Sequence, residues 1–149
     1  MKLKLEIDLI PKTAWCSNLR TKIPQGEWNK LKKQCYADAG NRCAICGAEG
    51  RLNCHEIWGY DDDKYIQKLN GFIALCNDCH LIKHIGRARV LASEGLLDMD
   101  ELIKHFMNVN GVDRGTFDEH LKESLEVWRK RSQHKWKTDL GEWASLITD

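Results

Sequence analysis

Two C-x-x-C pairs constrain this chain more than anything else in it: Cys43-Ala-Ile-Cys46 and Cys76-Asn-Asp-Cys79. Zn²⁺ prefers four donors in a tetrahedron, and each pair offers two thiolates from one tight turn, with Gly47 relaxing the first. If sulfur takes all four positions, no place remains for a reacting water, so this pattern predicts a structural Zn²⁺ held by Cys43, Cys46, Cys76 and Cys79. The alternative is four buried, unligated cysteines. Seven cysteines is an odd count, and in a reducing compartment paired C-x-x-C motifs favour metal over disulfides. Cys16, Cys35 and Cys54 then read as small apolar fillers.

A clamp of that kind matters for what it brings together. His80 and His84 lie four apart on a predicted helix opened by the second pair, and so project from one face. His55, in the segment Leu52–Trp58, lies on a predicted strand after the first pair. Three imidazoles from these two elements can converge on a second metal ion that keeps open positions for water and phosphate, the layout of metal-assisted hydrolysis. The bland alternative is a histidine that bonds a thiolate or caps a helix, beside a surface i,i+4 pair.

The 149 residues suit one domain, read here as an N-terminal extension over 1–40, a zinc-braced core over 41–88 and a helical extension over 89–149. Leu3, Leu5, Ile7 and Leu9 alternate with Lys2, Lys4, Glu6 and Asp8, predicting a half-buried strand that ends before Pro11. Trp28, Leu31, Cys35, Tyr36 and Ala39 predict a helix closed by Gly40. Two amphipathic segments follow the core, one over Leu96–Met107 and one over Phe117–Trp128. Six tryptophans spread along the chain predict that both flanks pack onto the centre. The fold class expected is α+β. No run approaches the roughly 18 apolar residues of a membrane span, and the opening MKLKLEIDLI is not the apolar core of a signal peptide, so a cytoplasmic location is expected.

The stretches CAICG, LNCHEIW and ALCNDCHLIKH resemble the HNH endonucleases, the ββα-metal nucleases, in the subgroup braced by a four-cysteine zinc. The resemblance covers residues 43–86. It implies a ββα-metal core, a metal-ligand role for His55 on the strand and His80 on the helix, and a match for His84 to a second helical histidine of some members. It also implies a catalytic divalent ion such as Mg²⁺, Mn²⁺ or Ni²⁺ and hydrolysis of DNA phosphodiesters, in a phage, defence or mobile-element setting. Two positions depart from the family pattern. Glu56 stands where the family's general base usually stands, which makes it the base, a weaker one than imidazole; alternatively His55 is the base and a carboxylate from elsewhere binds metal. The family's central asparagine has no counterpart at its usual spacing, and Asn70 can serve only through a one-residue bulge.

Net charge is +1, and four thiolates with one Zn²⁺ would take it to about −1. A protein that grips nucleic acid by charge alone is more basic. Phosphate contact must therefore come from bound cations and local clusters: Lys83, Arg87 and Arg89 beside the histidines, and Arg129, Lys130, Arg131, His134, Lys135 and Lys137 near the end. For the second cluster a solvated face is the competing reading, and Asp61, Asp62 and Asp63 read as a solvated turn. Three functions fit: a DNA endonuclease (RNA being the other substrate considered), a binding module that no longer cuts, and an accessory protein that docks to a larger complex. Since one such site cuts one strand, duplex cleavage implies a homodimer or two successive nicks.

Overall fold

The computed structural model describes residues 2–14 and 19–147, so Trp15 and Cys16 lie outside the described residues. Its centre is a hairpin. Strand β1 (Leu52–Asp61) pairs antiparallel with β2 (Ile66–Cys76), and a short β3 (Lys137–Asp139) adds to β2 in parallel, giving the order β1-β2-β3. The ladder runs from Leu52 opposite Cys76 to Asp61 opposite Ile66. It slips by one residue where Ile57 faces Gly71 but Trp58 faces Leu69, so Asn70 is the extra residue of a bulge. Gly71 beside it has φ +154°, a conformation that side chains rarely adopt.

Alternation along the strands gives the sheet two covered faces. His55 and Ile73 share one, and Leu75 lies two residues from Ile73 on the same side. This face meets a helical layer: α2 (Asn77–Lys83), α3 (Ile85–Ser93), α4 (Met99–Asn110) and α5 (Arg114–Arg131). Leu5, Ile7, Leu75, Ile82, Phe106 and Phe117 form the middle of that core. The opposite face carries Cys54, Trp58, Leu69 and Phe72 against Leu19, Trp28, Ile23 and Leu140, under α1 (Gln25–Asp38) and the 3-10 turn Gly141–Leu146. The class is α+β, a small three-stranded sheet with several helices.

Helix ends follow the local chemistry. Helix α1 stops at Gly40, φ +66°, where Gly40 N–H bonds Ala37 O and Asn41 N–H bonds Tyr36 O, satisfying carbonyls the helix leaves open. Asp98 and Asp113 cap α4 and α5 with side-chain oxygens that accept from Glu101 N–H and Thr116 N–H respectively.

Three expectations need correction. The segment Lys2–Leu9 joins no strand. Its period of two does bury Leu5 and Ile7, but the N–H groups of these two residues bond to side chains of the helical layer rather than to a sheet edge. The single helix expected across His80 and His84 is broken: α2 ends at Lys83 and His84, at φ −104° and ψ 56°, is the joint to α3. Lys83 O there accepts Asp8 N–H at 3.1 Å, so an outside donor satisfies a carbonyl at the helix end. The C-terminal extension is helical only through Arg131 and then supplies β3 and a 3-10 turn.

Candidate metal centres

The first cluster is assembled from two turns. Gly47 N–H bonds Cys43 O at 2.9 Å, closing the knuckle that presents Cys43 and Cys46, and Ala44 N–H bonds Ala74 O, tying that knuckle to β2. Cys76 ends β2 and caps α2, its sulfur accepting from Cys79 N–H at 3.4 Å. One donor atom from each of the four cysteines lies within 4.8 Å of the other three. Cys46 Sγ and Cys76 Sγ are 3.6 Å apart, far beyond a disulfide bond and close to the roughly 3.8 Å edge of a tetrahedron with 2.3 Å metal–sulfur bonds.

Burial raises the Cys79 thiol and its sulfur neighbours raise it further; burial also raises Cys76. At Cys43 burial acts upward too, but backbone N–H groups of Cys46, Cys76 and Ile45 outweigh it and bring the thiol to about 7. Four thiolates so close repel one another, and a cation at their centre removes that penalty. His105 adds a contact the spacing did not reveal: its Nε2 lies 3.2 Å from Cys79 Sγ, linking α4 to the cluster.

The second cluster begins one residue later. His80 follows Cys79 on α2, so successive residues of one short helix serve the two groups. His55 from β1 and His84 from the joint complete it. Ring centroids are 5.4 Å apart for His55–His80, 5.0 Å for His55–His84 and 4.7 Å for His80–His84, all edge-on, and one nitrogen of each ring lies within 4.8 Å of the others. His55 is 4% exposed, whereas His80 and His84 are half-buried and the group stays reachable. Burial, then the neighbouring rings, lowers His80 to about 3 and His84 to about 4. Both are neutral at pH 7, the protonation state that can donate to a metal. A set of three imidazoles suits Zn²⁺, Ni²⁺ and related divalent ions, and leaves room for further donors.

The other expected site residues scatter around this group. Glu56 is on the opposite face of the sheet from His55, opposite Phe72, and its Oε2 accepts Leu19 N–H at 2.9 Å; burial raises its pKa. Asn70, in the bulge, is exposed and lies over Gly59, where a Cβ would fall 2.5 Å from its Nδ2. Arg87 is exposed and close enough to depress the basicity of both His80 and His84, and Lys83 contributes at His84. Arg89 is exposed on α3. Arg20, not singled out by any motif, acts on both His80 and Glu56.

Part of the C-terminal basic cluster is already engaged. Arg131 makes paired bonds to Asp62 at 2.9 and 3.0 Å and lies over the Tyr60 ring, and His134 stacks on Tyr65. Asp61 Oδ1 accepts Asp63 N–H and Lys64 N–H, the turn expected of the acidic run. Trp136 is buried, and Trp128 donates its indole N–H to Ile10 O, so both pack internally. Cys35 and Cys54, expected as fillers, lie beside each other between α1 and β1.

The histidine group also has a carboxylate neighbour. Asp8 Oδ2 is 3.5 Å from His55 Nε2. Burial would raise the Asp8 pKa, yet the bond to His55 and nearby positive charge, that of Lys83 included, bring it below the usual carboxylate range. Nothing in the alternation of residues 2–9 marks Asp8 off from its polar neighbours. No helix among the described residues is long and apolar enough to cross a membrane. No family model matches the chain, and neither the curated proteins nor the solved structures contain a match.

Proposed function

We propose that the chain is a metal-dependent endonuclease of the HNH type, with a structural zinc on Cys43, Cys46, Cys76 and Cys79 and a second, exchangeable divalent ion on His55, His80 and His84. The observation carrying this reading is the meeting of three imidazoles, from a strand, a helix and the joint after it, immediately beside a cluster of four sulfurs. A divalent cation bound by His55, His80 and His84 would supply Lewis acidity toward a phosphate oxygen. The chain's own part is to hold the imidazoles in place, to leave an accessible side, and to bring the charges of Arg20 and Arg87 near His80, where they would attract phosphate. DNA is the substrate class we assign.

Supercoiled plasmid incubated with Mg²⁺, Mn²⁺ or Ni²⁺ tests this. Nicking that appears with metal and stops with EDTA supports it; an absence of nicking with all three ions contradicts it.

One observation favours a second reading, a zinc-braced module that binds nucleic acid without cutting it. Glu56, the residue at the general-base position, is turned away from His55 and held by Leu19. Under this reading DNA binding is salt-sensitive and no strand is cut. Glu56→Gln separates the base assignment from the rest: it keeps an acceptor for Leu19 N–H, so folding and metal content hold, and nicking persists if the opposite face excludes Glu56 from the chemistry. Loss of nicking with unchanged metal content would return the base role to Glu56.

A further inference from the structure

The N-terminal segment belongs to no sheet, yet it is fixed closely on both sides of Asp8. Asn110 Oδ1 accepts Lys4 N–H at 2.8 Å and Leu5 N–H at 2.9 Å, while its Nδ2 donates to Leu5 O at 3.0 Å. His120 Nε2 accepts Ile7 N–H at 2.9 Å. Asp8 N–H in turn bonds Lys83 O, next to His84. Leu5 and Ile7 are buried in the helical core. Helices α2, α4 and α5 therefore all contribute to setting the position of one carboxylate.

That carboxylate faces a ring with little freedom. The His55 side chain is 5% exposed and that of Asp8 31% exposed, and Asp8 Oδ2 is 3.5 Å from His55 Nε2. At this long hydrogen-bond distance, charge steers the ring as well as any shared proton. Asp8 is not among the donors that all lie within 4.8 Å of one another, so it meets the cluster through His55 and not as one of its members. Ligating histidines commonly use their second nitrogen in this way, donating it to a carboxylate that sets tautomer and ring orientation.

We propose that Asp8 is a positioning residue of the histidine centre: it accepts the Nε2 proton of His55, fixes that ring's rotation, and leaves Nδ1 as the nitrogen that donates to a cation. This rests on the reading of His55, His80 and His84 as a metal centre. It assigns the N-terminal segment a part in the site, although that segment lies outside the hairpin and helix that carry the histidines.

The test uses the full chain, ¹⁵N-labelled, with the chelator-resistant ion retained and the histidine centre emptied. Long-range ¹H–¹⁵N correlation spectra read the His55 tautomer, and calorimetric titration with Ni²⁺ reads affinity. Wild type is expected to show His55 protonated on Nε2. Asp8→Ala should give a tautomer mixture and bind Ni²⁺ about 10–100-fold more weakly, with the first ion and the melting temperature kept. Asp8→Asn retains an acceptor, so it should restore the tautomer but only part of the affinity. A wild-type His55 protonated on Nδ1 would overturn the proposal. So would an unchanged tautomer and affinity in Asp8→Ala. If wild type takes up no Ni²⁺ at this centre, the metal-centre reading itself fails, and the role given to Asp8 falls with it; the tautomer measurement then reports the Asp8–His55 contact alone.

Discussion

Cys79 and His80 are neighbours on α2, yet they face clusters built on different plans. At the first, four sulfurs from two turns close around a small centre, and backbone N–H groups point at the sulfur of Cys43. At the second, three imidazoles meet edge-on, two of them half-buried, with a carboxylate behind His55 and guanidinium groups nearby. Four donors complete a tetrahedron and three do not. One cluster is thus suited to holding chain segments together, the other to exchanging its remaining positions. The same short helix presents donors to both clusters.

The sharpest way to break this contrast is at Cys76, which both ends β2 and caps α2. A structural zinc contributes about 10–16 kcal/mol to folding, comparable with the whole stability of a small domain. Cys76→Ser is therefore expected to abolish soluble, folded protein, measured by circular dichroism and zinc content. A fully folded variant lacking zinc would contradict the structural role.

His80→Ala is expected to do the opposite. The fold and the first ion remain, while affinity for the second ion falls by more than the roughly 10–100-fold typical of losing an outer partner, and any nicking stops. Calorimetry beside a melting curve checks it. Unfolding of this variant would mean that the imidazoles brace the core as the sulfurs do.

The smallest effect is expected at His105, whose contact with Cys79 Sγ is a single bond at the edge of the first cluster. His105→Phe should cost about 1 kcal/mol and speed zinc release to a chelator, with the fold unchanged. An unchanged release rate would show that α4 does not tune that centre.

The sulfurs of the first cluster, and His80 beside them, are legible in the sequence because their spacing is local. C-x-x-C fixes two sulfurs on one turn whatever surrounds it, and His80 follows directly on the fourth cysteine of the set. The helix break at His84 is not legible, because the donor that caps Lys83 O comes from Asp8, far away in sequence. The N-terminal segment reads as a strand for a related reason. A period of two tells which side chains turn inward, as Leu5 and Ile7 do, but not whether the backbone meets a strand or the side chains of Asn110 and His120. Asp8 and His105 carry no local signal, because only the packing of α4, α5 and the first residues brings them to the clusters. Adjacent positions on a strand look equally available in a motif, yet the pleat sends His55 and Glu56 to opposite faces.

Metal counting on the purified chain tests the contrast most directly. Elemental analysis is made before EDTA dialysis, after it, and after refilling with Ni²⁺. The account predicts one zinc per chain that survives dialysis, and one further divalent ion that leaves and returns. It is contradicted by a single ion per chain throughout, or by two that leave together.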